Sequence, residues 1–240
     1  MDLHPSASAY HGGNTILDRL DRSEREALLP HLHVFDEEES NVIRTRGQPI
    51  EAVYFPIDAV YSVVVELSQG HTYEVDVIGR GGVVGAELAI GAHRALRTVL
   101  CQAGGRVAQL PSEYFKETLT RDKSFFLSVS ESLRRQWFDS QQTVACNFVH
   151  TLEQRAARWI LMTQDQSGRD CFPMRREYLS IMLGLTPAKV GEPLAVLEQL
   201  DCIRYEDEHV TVTSREALHE YVCECYDLQM IVPLNRDGKP

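Results

Sequence analysis

The chain has 240 residues, of which 43% are hydrophobic and 25% charged, the balance of a soluble globular protein with one large or two modest domains. It carries 35 acidic against 24 basic residues, a formal net charge of −11, which argues against a polycation that binds nucleic acid or anionic membrane without regard to sequence. A local nucleic-acid-reading surface is still compatible with this charge. Because the sequence has neither a signal-like start nor an apolar run of the roughly 20 residues that span a bilayer, we expect a cytoplasmic protein that does not contact membranes.

The first half of the chain has the pattern of a small β domain. Residues 1–13 are small and polar and predict a disordered N-terminus. Residues 14–110 begin with a helix, marked by capping-box spacing at Ser23–Glu26. They continue from Val34 as several short β-branched segments separated by turn residues. This spacing predicts an antiparallel, jelly-roll-like β-roll.

A long helix is predicted within residues 111–149. Its apolar residues are spaced by three and four and form one continuous stripe. We assign five of them to a dimer interface: Phe126, Val129, Leu133, Trp137 and Val144. A coiled-coil-like seam between two subunits is one interpretation, and packing of the helix onto its own β domain is the other.

Residues 150–226 predict a winged helix-turn-helix, followed by a tail at 227–240. A short helix ends at Gly184, and a second helix runs from an N-cap at Thr186 to Leu200, with Pro187 in its first position. Two β-type segments then form a wing, and a last helix covers Ser214 to Tyr226. Pro193 lies inside the second helix, so we expect that helix to be kinked or locally opened.

In this order of elements the chain resembles the Crp/Fnr family of bacterial transcription regulators over roughly residues 15–226. The pairs Leu183-Gly184 and Val190-Gly191 match the family's helix-turn-helix register, and Gly79–Leu88 resembles its cyclic-nucleotide phosphate cassette. The resemblance implies an α+β fold: an antiparallel β-roll effector domain, a long dimerisation helix and a C-terminal winged helix-turn-helix. It implies a homodimer that binds double-stranded DNA at a palindromic operator, with RNA polymerase as a further candidate partner.

The predicted DNA-binding residues depart from the family's pattern. Where members of the family carry arginine to read guanine, this chain has Pro187 and Glu192, and neither can donate the paired hydrogen bonds that guanine accepts. Glu192 can accept from a cytosine amino group, and Ala188 can touch a thymine methyl group. Four further residues are expected to contact phosphates and to position the helix: Arg175, Arg176, Thr186 and Lys189.

The effector pocket is predicted at the cassette-like segment. A cyclic nucleotide needs an arginine for its phosphate and a carboxylate for its ribose, and the candidate residues are Gly85, Glu87, Leu88, Arg94 and Arg97. Members of the family that bind the nucleotide have Gly-Glu-Leu. Here Ala86 is interposed, which on a strand would turn the carboxylate to the opposite face. A cyclic nucleotide, another small ligand and no ligand stay open, and we assign no cofactor.

Cysteine and histidine residues near the C-terminus are candidate metal ligands by residue type. His219, Cys223 and Cys225 lie within seven residues, and His219 and Cys223 share a helix face, but there is no CxxC pair and we assign no metal. Cys146 is interpreted as a small buried hydrophobe. Without a catalytic motif, the chain is predicted not to be an enzyme. The alternative to a DNA-binding regulator is a ligand-binding or interaction module whose winged domain has lost specific DNA binding.

Overall fold

The computed structural model describes residues 9–230, and its first half is a β-roll of two antiparallel sheets. One sheet has the order β1-β7-β3 and the other the order β2-β6-β4-β5. The strands are β1 (His33–Glu37), β2 (Val42–Arg44), β3 (Ala52–Pro56), β4 (Val60–Glu66), β5 (Thr72–Ile78), β6 (Thr98–Ala103) and β7 (Gly105–Pro111). Most residues of the central strands are buried: β3 has four of five residues buried and β6 has five of six. The predicted β-roll is therefore confirmed.

The chain is ordered before residue 14, which corrects part of the predicted N-terminal disorder. Tyr10 is buried, and its hydroxyl donates to Asp18 Oδ1 at 2.7 Å. Asn14 caps helix α1 (Thr15–Asp18), and its amide group also donates to the carbonyls of Pro56 and Gly82. These contacts fix residues 9–13 onto the β-roll, while residues 1–8 lie outside the described part. Helix α2 follows at Arg22–Leu28.

Two helices follow the β-roll and are separated by Asp122. Helix α3 covers Ser112–Arg121, and helix α4 covers Lys123–Val149, 27 residues capped by the Asp122 carboxylate. Residues of the β-roll, α3 and the start of α4 share one core, whose rings at Phe115 and Phe125 meet edge to face at 5.6 Å. Helix α4 is thereby anchored at one end, and most of its length extends away from that core.

The C-terminal half is a winged helix-turn-helix domain. Its helices are α5 (Leu152–Ser167), α6 (Arg176–Leu183), α7 (Gly191–Gln199), α8 (Arg215–Tyr221) and α9 (Cys225–Met230), and its strands are β8 (Cys171–Pro173), β9 (Ile203–Glu206) and β10 (His209–Val212). Thr151 and Gln154 form a capping box at the start of α5. The wing has the order β8-β10-β9, and its third strand, β8, was not predicted.

The last predicted helix, Ser214 to Tyr226, is in fact two helices. Val222 is extended after α8, and α9 begins only at Cys225. Tyr226 and Gln229 are buried against α5. The Tyr226 hydroxyl donates to the Asp165 carboxylate, and the Gln229 side chain accepts from Arg158 Nε. The predicted tail is therefore wrong for residues 227–230, and residues 231–240 lie outside the described part.

The winged domain packs directly against the β-roll. Tyr178 on α6 donates to Ser40 at 2.7 Å, and Arg169 donates to the carbonyl of Gly104 at 2.9 Å. At Gly79 the two domains approach so closely that a Cβ atom would lie 2.4 Å from the Cβ of Gln166. Glycine is needed there for the domains to meet. Among residues 9–230, no helix combines the length and the apolar character that crossing a membrane requires.

Candidate functional site

The first helix and the turn of the helix-turn-helix form as the sequence predicts. Gly184 ends α6 with φ +65°, a left-handed conformation that glycine adopts without steric cost. Its amide and that of Leu185 both donate to the carbonyl of Ser180. Leu179 and Leu183 are buried against α5, so α6 has a fixed place in the domain.

The second helix begins later than predicted. Regular helix starts at Gly191 instead of after Thr186, and the residues between them form turns with a bond from the Lys189 amide to the Thr186 carbonyl. Pro193 explains the difference, because it cannot donate to Lys189 and its ring would crowd that carbonyl in a continuous helix. With the helix starting at Gly191, Pro193 lies in the first turn, where the missing N–H costs nothing. The predicted opening is found, and the predicted N-cap is wrong.

The predicted outward face of this segment is open to solvent. Five of its residues are exposed: Ala188, Lys189, Glu192, Ala195 and Gln199. Thr186 and Pro187 are exposed in the preceding turn. On the opposite face Val190, Leu194 and Leu197 are buried as predicted, whereas Leu200 is 46% exposed because it already lies past the end of the helix. A surface of α7 and its turn is thus available to a macromolecule.

The two arginines assigned to phosphate contacts already have partners. Arg175 Nε lies 3.0 Å from Glu39 of the β-roll and 3.6 Å from Glu208 of the wing. The guanidinium of Arg176 lies 5.8 Å from the ring centre of Tyr205, also on the wing. Arg175 therefore links the winged domain to the β-roll. A DNA phosphate would have to displace Glu39 to pair with Arg175.

The dimer stripe on α4 is partly different from the prediction. Val129 is fully buried in the chain's own core, because α4 is still packed against the β-roll at this turn, and Leu133 is half-buried there. The rest of the predicted stripe is open to solvent: Phe126 is 40%, Trp137 69% and Val144 57% exposed. Val129 is therefore removed from the set, and Phe148, exposed on the same face, joins it.

The cassette-like segment is a 3-10 helix, Ala86–Ile90, so the expected strand register does not apply. Gly85 precedes it with φ +96°, and a Cβ there would lie 3.0 Å from Arg44 Nη1. Leu88 is buried in the β-roll core. The Glu87 carboxylate lies 3.7 Å from the same arginine nitrogen. The residue that meets Glu87 is therefore Arg44, which sequence reasoning missed.

Arg44 is an unusual cation, because it is 4% exposed. It donates to the carbonyl of Ala52 at 2.6 Å, and burial lowers the pKa of its guanidinium, although Glu87 opposes that shift. A polar cavity of about 310 Å³ lies beside it, lined also by Tyr54 and Gln109. Arg94 and Arg97, the predicted phosphate ligands, are exposed and donate to backbone carbonyls, of Gly47 and Leu96 respectively.

Comparisons with known proteins agree with this geometry. FixK2 of Bradyrhizobium japonicum matches with a TM-score of 0.67 at 16% identity, over 80% of this chain and 98% of its own. A model of the Crp-like helix-turn-helix domain matches residues 154–221. Residues 154–221 are thus a Crp-like helix-turn-helix domain, and the chain as a whole shares its fold with FixK2.

Two further solved structures share the fold at similarly low identity. The c-di-GMP-responsive global regulator CLP of Xanthomonas campestris matches with a TM-score of 0.62 at 16% identity, over 81% of this chain and 100% of its own. A CRP-family transcriptional regulator of Thermus thermophilus, TTHB099, matches with a TM-score of 0.63 at 19% identity, over 78% and 95%. No curated protein matches the sequence itself. These matches show a shared fold, and within it residues 154–221 match the Crp-like helix-turn-helix domain.

Proposed function

We propose that the chain acts as a homodimer that binds a palindromic operator and responds to a signal received by its β-roll. This proposal rests on the exposed apolar stripe on α4. It also rests on the helix-turn-helix, in which the outward face of α7 and the turn before it is exposed to solvent. Pairing two copies along α4 would present two reading helices on one duplex, with half-sites about 34 Å or a multiple of that apart.

The stripe fits a second copy of the same helix. Phe126, Trp137, Val144 and Phe148 recur at spacings that keep them on one side of α4, and each is at least 40% exposed in the single chain. Large apolar side chains aligned in this way are costly in water and are typical of an interface. A two-fold axis brings each residue close to its own counterpart, so one stripe is sufficient to form the whole seam.

Recognition of DNA bases by the helix-turn-helix would involve few charged side chains. Within residues 171–200, three basic residues are balanced by three glutamates, so phosphate attraction is weak. Glu192 and Ala188 are the exposed residues suited to read cytosine and thymine edges, with Arg175, Arg176 and Lys189 on phosphates. We expect low non-specific affinity, strong dependence on dimerisation and binding that weakens steeply with salt.

The signal would act through the contacts between the β-roll and the winged domain. A ligand can shift this arrangement only if it binds one conformation more tightly than another. The Arg44–Glu87 pair and the polar cavity beside it form the candidate place, since an anionic ligand there would compete with Glu87 for a buried guanidinium. We propose no particular nucleotide for it.

The test is selection of bound duplexes from a random DNA library by the full-length chain, at low and at moderate salt. The proposal predicts a two-fold symmetric consensus, and Glu192→Ala should change base preference at one position in each half-site. The matched control is Glu177→Ala, an exposed glutamate on α6. If a folded dimer selects no sequence at low salt, the chain is instead a ligand-binding or interaction module with an inactive winged domain.

A further inference from the structure

A cluster of sulfur and nitrogen atoms lies where the end of α4 meets the segment between α8 and α9. Four side chains place one potential ligand atom each within 4.8 Å of all the others: Cys146, His150, Cys223 and Cys225. The three cysteines are at most 2% exposed. Two features bring them together, namely the one-turn spacing of Cys146 and His150 and the break after α8 that the sequence did not predict.

Two of the separations between these atoms match those of a tetrahedral site around one ion, and all of them are within 4.8 Å. Zinc–sulfur bonds of about 2.3 Å and tetrahedral angles put two thiolate ligands roughly 3.8 Å apart, and a thiolate and an imidazole nitrogen roughly 3.6 Å apart. The sulfur atoms of Cys146 and Cys223 are 3.7 Å apart. The Cys225 sulfur lies 3.5 Å from His150 Nδ1. A disulfide would need sulfur atoms about 2.05 Å apart and would use only two of the four groups.

The surroundings of the cluster also suit a metal. His150 turns Nδ1 toward the sulfur atoms, and its Nε2 lies 3.0 Å from the Glu224 carboxylate, the outer carboxylate typical of zinc-bound histidines. Gln142 Nε2 donates to the Cys225 sulfur at 3.0 Å. The buried Arg158 adds positive charge near Cys146, which offsets the net negative charge of three thiolates and a divalent ion.

We propose that these four residues form a closed tetrahedral Cys3His site for a single thiophilic divalent cation, with Zn²⁺ as the expected occupant. Four protein ligands leave no open position, so the site is structural. It would fasten the end of the dimer helix to the segment that follows α8, and so hold the winged domain against α4. The proposal does not depend on DNA binding.

The experiment uses the reduced, full-length chain after removal of metal, titrated with Co²⁺ and followed by visible and near-ultraviolet absorption. We expect one Co²⁺ per chain, the intense bands of tetrahedral cobalt with thiolate charge transfer, and their loss on addition of one equivalent of Zn²⁺. Cys223→Ser and Cys225→Ser should each weaken binding at least tenfold. Cys171→Ser and Cys202→Ser, which change cysteines outside the cluster, should leave it unchanged.

Glu224→Gln provides a second test, because Glu224 is exposed and is not a ligand, so the variant should fold. We expect it to weaken Co²⁺ binding about tenfold. The proposal is overturned by an octahedral spectrum without thiolate bands, or by cobalt bands that survive Cys223→Ser. It is also overturned by an iron–sulfur chromophore in anaerobically isolated protein, or by a Cys146–Cys223 disulfide that persists in reductant and prevents metal binding.

Discussion

Replacing Trp137 on α4 should separate the two subunits. Trp137 is 69% exposed in the single chain, which corresponds to about 170 Å² of side-chain surface. Covering that area is worth about 4 kcal/mol per subunit at about 25 cal/mol per Å². An alanine side chain would retain about a third of that buried area. Trp137→Ala should therefore weaken the free energy of dimerisation by roughly 5 kcal/mol, counting both subunits, and raise the dimer Kd more than a thousandfold.

Sedimentation equilibrium over a range of chain concentrations measures this effect directly. The matched control is Leu127→Ala, because Leu127 is 55% exposed on the same helix but lies roughly a quarter-turn away from Trp137. We expect less than a tenfold change for the control. A Trp137→Ala protein that remains as dimeric as the parent chain would refute the seam, as would a parent chain that is monomeric at micromolar concentration.

Three further variants test other contacts. Glu39→Gln releases Arg175 from the β-roll and should raise DNA affinity two- to fivefold by fluorescence anisotropy, since exposed ion pairs contribute up to about 1 kcal/mol; an equal gain for Glu38→Gln would contradict this explanation. Burial raises the pKa of Glu74 to about 8, so the folded chain keeps a proton that the unfolded chain loses near the ordinary value. The contribution of Glu74 to the free energy of unfolding should therefore fall between those pH values by up to about 1.4 kcal/mol per pH unit. Urea unfolding of Glu74→Gln should show a smaller fall than the parent chain, and the remainder comes from groups such as Asp76, whose pKa is also raised by burial. Asn14→Ala removes the cap of α1 and two buried donors, and a loss of about 2–4 kcal/mol is expected in the same assay; an unchanged midpoint would show that residues 9–14 are not needed to hold the fold.

Features of the fold that depend on residues close together in the chain were predicted correctly in most cases. The left-handed Gly184 and the short strands separated by turns each depend on neighbouring residues, and both are found. The capping box expected at Ser23–Glu26 does not form, because α2 begins earlier and is capped by Asp21. The opening caused by Pro193 was also predictable, because the missing donor is a local property. The start of the helix was predicted wrongly, because regular helix begins at Gly191 and not directly after Thr186.

Contacts between distant segments could not be predicted from the sequence. Arg44 and Glu87 are 43 positions apart and meet only when the two sheets close, so spacing along the chain favoured Arg94 and Arg97 instead. The cysteine cluster joins α4 to a break after α8 that carries no strong breaking residue. His219, which spacing suggested as a partner of Cys223, instead lies 2.8 Å from Asp227. Val129 fits the apolar spacing of the stripe. It is nevertheless buried, because the β-roll packs against that side of α4.

The stoichiometry of the complex between the full-length chain and a selected duplex tests the central claim most directly. Sedimentation of the complex at low salt should give two chains per two-fold symmetric duplex. Destroying one half-site should lower the affinity at least a hundredfold, because the two reading helices are joined through α4. A complex of one chain per duplex, or equal affinity for the symmetric site and for unrelated DNA, would contradict a dimeric, sequence-reading regulator.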